Sequence, residues 1–363
     1  MKWPMPVWPL LDELATSWIL RCAAAHGEIP HSFTTATWGR RQVWNRDADR
    51  SLTSADLAIL ASQMGIDGQA ARNTNLDSLV ELIGGWPRES PARSVIPGLM
   101  VAGIYHRKRR RHGLQFCPEC LMTDREPYFR RRWRLAVSIV CTRHGCELAD
   151  ACPACDSPVM PHRASRYSML ACTVCGSSLA FNGELATKAA TGAQALIDEL
   201  VGAEKAVVGK KQVSVESWIA GVRILYSALH SARVARAFGR RPDAKAWAPL
   251  EFARVCDRIR GLPIVTSMLR QWPREFIERC ESGNVRRLDI ADARRKPPDW
   301  LLEVLEVELP HDRIRRRAKA KKRRRCRDRR SIAEIRREID LGAYMSDTIE
   351  RAFEVTGDER LQR

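Results

Sequence analysis

Phe116-Cys117-Pro118-Glu119-Cys120, Cys141-Thr142-Arg143-His144-Gly145, Cys152-Pro153-Ala154-Cys155 and Cys172-Thr173-Val174-Cys175-Gly176 are the four short runs on which the reading of this 363-residue chain turns. Twenty residues separate the first donor pair from the second, and sixteen the third from the fourth. Within every pair two residues stand between the donors, a gap that lets one tight turn present both to a single ion. Two complete four-donor sets point to two tetrahedral zinc ions, because zinc takes N and S ligands without a geometric preference from its d-electrons. Cys117, Cys120, Cys141 and His144 form the first set, and Cys152, Cys155, Cys172 and Cys175 the second. Cys146 lies two residues from His144 and competes with it as fourth ligand of the first ion, although the spacing favours His144. Gly145 and Gly176 suit the positive φ that such turns often need.

Seven of the twelve cysteines belong to these sets, which fits metal binding in a reducing compartment better than a disulfide framework. Cys22, Cys146, Cys256, Cys280 and Cys326 are then expected to be free thiols. A catalytic zinc keeps one position open for water, whereas three cysteines with a histidine, or four cysteines, fill every position. The expected contribution is therefore to folding, and the chain is expected not to be an enzyme. A zinc deaminase needs H-x-E followed by P-C-x-x-C. Here His144-Gly145-Cys146-Glu147 has the wrong interval and Pro153 falls inside its pair. Neither a P-loop, a G-x-S-x-G elbow nor an H-E-x-x-H helix occurs.

The net charge of +18 is concentrated in two places. Residues 313–330 carry thirteen Lys/Arg against Asp328, and Arg107, Lys108, Arg109, Arg110 and Arg111 add five more cations. The remainder is nearly balanced, so the charge reads as two local polyanion contacts, with nucleic acid the leading partner. Arg315, Arg316, Arg317, Lys321, Lys322, Arg323, Arg324 and Arg325 are the densest part of a polybasic arm. Tyr128, Arg130, Arg131, Arg132, Trp133 and Arg134 offer either a phosphate-and-stacking surface or, more simply, aromatics wedged between the zinc units beside solvated arginines. No apolar run approaches the roughly 20 residues that span a bilayer. The start, Met1 to Leu20, is interrupted by Pro4, Pro6, Pro9, Asp12 and Glu13 and lacks a signal peptide's apolar block, so a cytoplasmic location and no membrane contact are expected.

The fold expected is mainly α: a helical N-terminal module over 1–111 with a candidate helix-turn-helix, a tandem zinc-ribbon-like unit over 112–183, an all-helical C-terminal module over 184–310, and a basic arm with a terminal helical hairpin over 311–363. Leu10, Leu11, Leu14, Trp18 and Cys22 recur at helical spacing up to Gly27 and Pro30. Ser51, Thr53 or Ser54 caps a helix through Leu57, Leu60, Ala61 and Met64, which Gly65 ends, with short helices following at 69–72 and 76–83. The spacing of Ala61, Gly65 and Ala71 fits a helix-turn-helix, serving either DNA reading or plain packing and self-association. In the third module helices are expected over 185–201, 214–238, from Pro249, from Pro263 to Trp272, from Phe276 to Gly283, and from Pro298 to Leu309. Ser331 with Glu334 caps a helix over 332–339, and a last one follows Ser346 or Asp347.

Phe116-Cys-Pro-Glu-Cys-Leu121, Asp124, Pro127-Tyr128, Trp133-Arg134-Leu135, Cys141-x-x-His144-Gly145, Leu148, Cys152-Pro-x-Cys155 and Cys172-x-x-Cys175-Gly176 resemble the zinc-binding core of TniQ proteins and their longer TnsD-type relatives. Ser17-Trp18-x-x-Arg21 and Trp272-Pro273-x-x-Phe276 are similar to that family as well. Asp156 departs from it, standing where a glycine often follows. The resemblance implies a non-catalytic target-selection adaptor in DNA transposition, linking a DNA site or a DNA-bound recognition complex to an AAA+ ATPase regulator of the TniB/TnsC kind that recruits the transposase complex. It also implies Zn2+ at both sets, an RNA-guided or recombination complex as a further candidate partner, and self-association as a homodimer through the N-terminal helix-turn-helix. A zinc-finger DNA- or RNA-binding regulator unrelated to transposition is the alternative reading, and a metal hydrolase a third.

Removing residues 313–330 is expected to weaken DNA or RNA binding on all sequences alike. Roughly five to eight lost phosphate contacts correspond to a slope of about −5 to −7 in log K against log salt. Titrations at several salt concentrations check this, and an unchanged slope in the deletion contradicts it.

Overall fold

The computed structural model describes residues 2–85, 95–105, 108–109, 111–164, 169–240, 248–291 and 296–309. The expectations for Arg107, Arg110, the basic arm with Cys326, and the terminal hairpin lie outside the described residues. The chain is mainly helical, in the order α1 (Ala15–Ala25), α2 (Pro30–Trp38), α3 (Ala48–Ser51), α4 (Ser54–Met64), α5 (Gly68–Arg72), α6 (Asp77–Leu82), the hairpin β1 (Ile104–Tyr105) and β2 (Lys108–Arg109), α7 (Pro118–Thr123), α8 (Lys188–Ala203), the hairpin β3 (Lys205–Val208) and β4 (Lys211–Ser214), α9 (Val215–Ala228), α10 (Ala232–Ala237), α11 (Val255–Arg270), α12 (Arg274–Ser282), α13 (Arg287–Ile290) and α14 (Asp299–Val307).

Local signals account for much of this. Thr53 caps α4 through a reciprocal pair, its hydroxyl accepting from the Asp56 N–H at 3.2 Å while the Asp56 carboxylate accepts from the Thr53 N–H at 2.7 Å. Gly65 then ends α4 in the left-handed region at φ 68°. Ala61 and Ala71 are buried where α4 and α5 pack, as the small-residue spacing requires. Gln69 and Arg72 of α5 face solvent.

Four elements differ from the sequence expectation. The first helix begins at Ala15 and not at Leu10, because Asp12 has φ 59° and the Leu14 N–H is taken by Phe129 O at 2.9 Å; Leu11 is left exposed. Pro263 does not open a new helix but sits inside α11. A proline there removes one backbone bond, and burial of Leu262, Val265, Met268 and Leu269 on the same helix works against that loss. The third module also contains the β3–β4 hairpin, whose Ala206 and Val208 point inward between exposed Lys205 and Val207. Gly209, at φ 62°, makes the turn against Trp272 O, where a Cβ would come within 2.8 Å. The segment 214–238 is two helices, separated at Leu229–Ser231.

Two apolar clusters form the interior. One joins Trp18, Phe33, Leu57, Leu60 and Met64 of the N-terminal helices. The other is continuous from Phe116, Phe129 and Trp133 through Trp218, Val222, Leu262, Phe276, Trp300 and Leu305, so the metal-ligand segment shares its apolar core with the helices that follow it.

Buried charges fix how these parts meet. Arg134 is fully buried, with Asp47 at 2.5 Å, Asp49 at 2.8 Å and Met100 O at 3.1 Å. Burial opposes its charge, but the two aspartates outweigh it and hold the guanidinium above its ordinary range. Arg258 of α11 is equally buried and reaches Ala136 O at 2.7 Å, Ser138 O at 2.9 Å and Gln115 Oε1 at 2.5 Å. Those partners are neutral, so burial dominates and lowers its pKa. Asp150 caps α11 from a distance by accepting from the Val255 N–H at 2.7 Å, and it pairs with Arg254 at 2.9 Å.

Replacing Arg134 with Ala strips Asp47 and Asp49 of their guanidinium. The expected cost is about 3–5 kcal/mol, and Lys restores only part because it cannot make the forked contact. Urea unfolding of the full chain measures it; a loss below about 1 kcal/mol contradicts the assignment.

Candidate metal centres

The first centre is built on two turns. Cys117 caps α7, its Sγ accepting from the Cys120 N–H at 3.3 Å, and Pro118 occupies the first helical position, where no N–H is needed. Opposite it, the Gly145 N–H closes on Cys141 O at 2.7 Å, with Gly145 at φ 66° and nothing within 4 Å of a Cβ placed there. Backbone angle, not space, therefore calls for glycine.

His144 Nδ1 lies 3.4 Å from Cys117 Sγ, 3.3 Å from Cys120 Sγ and 3.7 Å from Cys141 Sγ, and Cys120 and Cys141 are 3.7 Å apart. A tetrahedral ion with bonds of about 2.3 Å to sulfur and about 2.0 Å to nitrogen sets edges of about 3.8 Å and 3.5 Å. The four donors thus already stand at coordination spacing. Cys146, fully buried, comes within 3.4 Å of Cys117 Sγ. The group whose donor atoms all lie within 4.8 Å of one another contains His144 and not Cys146.

The other edge of the imidazole sets its tautomer. Thr123 Oγ1 donates to Glu119 O at 2.7 Å and lies 3.2 Å from His144 Nε2, so the hydroxyl is free to accept a proton only from Nε2–H. That leaves Nδ1 as the lone-pair nitrogen facing the sulfurs. Crowding is visible in the thiols. Cys117, Cys141 and burial push the Cys120 thiol far up, while hydrogen bonds from Cys117 and Cys120 pull Cys141 far down. Their proximity works against ionising the thiols together, and a cation among them would offset that repulsion.

At the second centre Cys152 and Cys175 stand 3.5 Å apart, Cys155 and Cys172 3.7 Å. Two matching turns carry them, with the Asp156 N–H on Cys152 O at 3.0 Å and the Gly176 N–H on Cys172 O at 2.9 Å. Asp156 adopts the glycine-like conformation at φ 55°. Its carboxylate is held by Arg254 at 2.8 Å, and this hydrogen bond lowers its pKa. Cys155 and Cys175 are exposed, Cys152 and Cys172 buried. Between the two turns, His162 stacks on Trp44 at 5.1 Å and Met169 reaches Ser17 Oγ, tying this centre to the N-terminal helices.

The arginines near Trp133 have structural partners. Arg130 stacks over Tyr128 and Trp133, at 4.3 Å and 4.9 Å, and pairs with Asp124 at 2.8 Å. Arg131 and Arg132 take Asp12, and Arg143 takes Asp124. They line or flank a cleft of about 310 Å³ beside Cys120 and Cys141 whose cations are already matched by carboxylates. Arg130, Arg131 and Arg134 are thus held by partners within the fold, whereas Arg132 pairs with Asp12 and stays exposed. Of the 107–111 run, Arg111 packs its guanidinium 4.4 Å above Phe252, and Lys108 and Arg109 form β2.

Sequence reasoning did not single out Thr123, Asp150, Gln194, Arg254 or Arg258. Gln194 Oε1 accepts from the N–H groups of Ile139 and Val140 at 2.8 and 3.1 Å, just before Cys141. The signal at Thr123 was its place one turn beyond Cys120; the others come from remote segments. Ser17 and Arg21, noted as a motif, are locks: Ser17 Oγ accepts from the Phe129 N–H at 3.0 Å, and Arg21 bridges Glu13, at 2.7 Å, and Glu126.

A helix-rich fold organised around two four-donor Cys/His centres defines the class of protein. Residues 4–148 match the family model described as TniQ, so this part of the chain is similar to that family. The match contains every ligand of the first centre and ends before Cys152. No curated protein matches the chain. A TniQ domain points, in general terms, to target selection in DNA transposition. Among the described residues no helix is long and apolar enough to cross a membrane.

Thr123→Val removes the acceptor for Nε2–H and is expected to lower metal affinity at the first centre about 10- to 100-fold while leaving the second unchanged. Competition with a chromogenic chelator measures both. Equal loss at the two centres, or none, contradicts the role given to Thr123.

Proposed function

We propose that this protein is a non-catalytic adaptor for target selection in transposition. It holds two structural Zn2+ ions, contacts DNA through its basic segments, and couples a target site or a DNA-bound recognition complex to an AAA+ regulator that recruits the transposase. Zinc suits both donor sets, since three thiolates with an imidazole, or four thiolates, make closed, tetrahedral, sulfur-rich spheres. With four protein ligands each, neither leaves a position for a reacting molecule, which supports a role in folding and binding.

The observation that carries the proposal is the TniQ match over residues that build the first centre and weld it to the N-terminal helices. An adaptor needs surfaces held in a fixed relation, and Arg134, Arg21 and Ser17 supply that fixity across the two parts. Lys108 and Arg109 of the basic 107–111 run form strand β2 of the β1–β2 hairpin.

Pull-down of the AAA+ regulator encoded beside the gene, with and without target DNA, tests this. Capture of the regulator by the zinc-loaded chain is expected, and zinc removal with a strong chelator abolishes it. A protein that protects an operator unaided and ignores the regulator is instead a zinc-finger regulator, and the adaptor reading fails.

A further inference from the structure

The first centre has five donors for four positions. Cys146 Sγ lies 3.4 Å from Cys117 Sγ, yet Cys146 is not among the four donors that close on one another. It is fully shielded from solvent, whereas His144 is only half-buried and meets the exposed Thr123. We propose that Cys146 is a reserve ligand, able to replace His144 and convert the centre from three sulfurs and one nitrogen to four sulfurs, for zinc or a softer thiophilic divalent ion.

Three features of the fold prepare the exchange. The backbone of Cys146 is already part of the turn, its carbonyl accepting from the Cys141 N–H at 2.8 Å, so engagement requires a side-chain movement rather than refolding. Gly145, between the two candidate ligands, sits at φ 66° with open space around it, and lets His144 swing outward without carrying Cys146 along. Gly183 faces the thiol: a Cβ there would come within 2.7 Å of Cys146 Cβ and 2.9 Å of its Sγ, so the missing side chain gives the sulfur room.

The exchange balances. Cys146 passes its thiol proton to the imidazole it displaces, the bond from Nδ1 to the ion breaks, and a bond from Sγ forms. The sphere gains one thiolate and the freed His144 carries the proton. Softer ions favour the four-sulfur form because thiolate is the softer donor.

The inference rests on the reading of this centre as a metal site, and the test separates the two. Full-length wild type, Cys146→Ala, His144→Ala and the double variant are loaded with Zn2+, dialysed, and analysed for metal per chain. Two ions are expected in the first three and one in the double variant. The same proteins loaded with Co2+ report the number of bound thiolates through the sulfur-to-cobalt charge-transfer band, which should gain one thiolate at His144→Ala and, with the first centre empty, fall to that of the second centre's four cysteines in the double variant. One ion in His144→Ala, or two with no added thiolate, overturns the reserve ligand while leaving the metal site standing. No ion in wild type overturns both.

Discussion

Four electron-rich donors held at coordination spacing repel one another until a cation sits among them, and this constraint organises the structure. Around the first centre Nδ1 lies 3.3 to 3.7 Å from the three sulfurs and Cys120 stands 3.7 Å from Cys141, closer than ionised thiols tolerate alone. The turns that bring them there are short and locally determined, so an ion bound among the donors would close the loops between them. The segment 139–149 runs from the Gln194 contact through the ligands to Asp150, which caps α11. Metal binding at the turn and helix packing in the core are therefore parts of one cooperative structure.

Charge pairing gives that structure its orientation. Arg134 reaches back to Asp47 and Asp49, Arg258 reaches into the carbonyls of 136–138, and Arg254 joins Asp150 to Asp156. Buried ions cost desolvation and add little net stability, but each tolerates one geometry only. What these pairs supply is specificity of arrangement more than stability. The first-centre ligands and the aspartates of Arg134 come from segments far apart in sequence, so the N-terminal helices and the metal-bearing turns are positioned by the same few side chains.

Much of the architecture was legible beforehand where the cause is local. The cap at Thr53, the stop at Gly65, the start of α14 after Pro298, and the eight donors all follow from residues within a turn of one another, whereas Pro30, expected to end the first helix, opens α2. The errors arose where a distant partner decided. Leu10 and Leu11 have helical spacing, but the Leu14 N–H is claimed by Phe129 and the chain there runs extended. Pro263 carries a helix-start signal, but the apolar face of α11 continues through it. The β3–β4 hairpin is too short for its alternation to stand out from the flanking helices.

Spacing along the chain thus determined on its own that two four-donor centres exist, that helices dominate, and that the ligand pairs occupy turns, because each of these depends on atoms only a few residues apart. Tertiary structure alone decided that Thr123 meets Nε2 of His144 and that Arg134 and Arg258 are internal clamps, and it set His144, which the spacing already favoured over Cys146, among the four mutually close donors. These outcomes depend on which remote segment arrives within about 3 Å of a polar atom. Sequence neighbours carry no record of that distance.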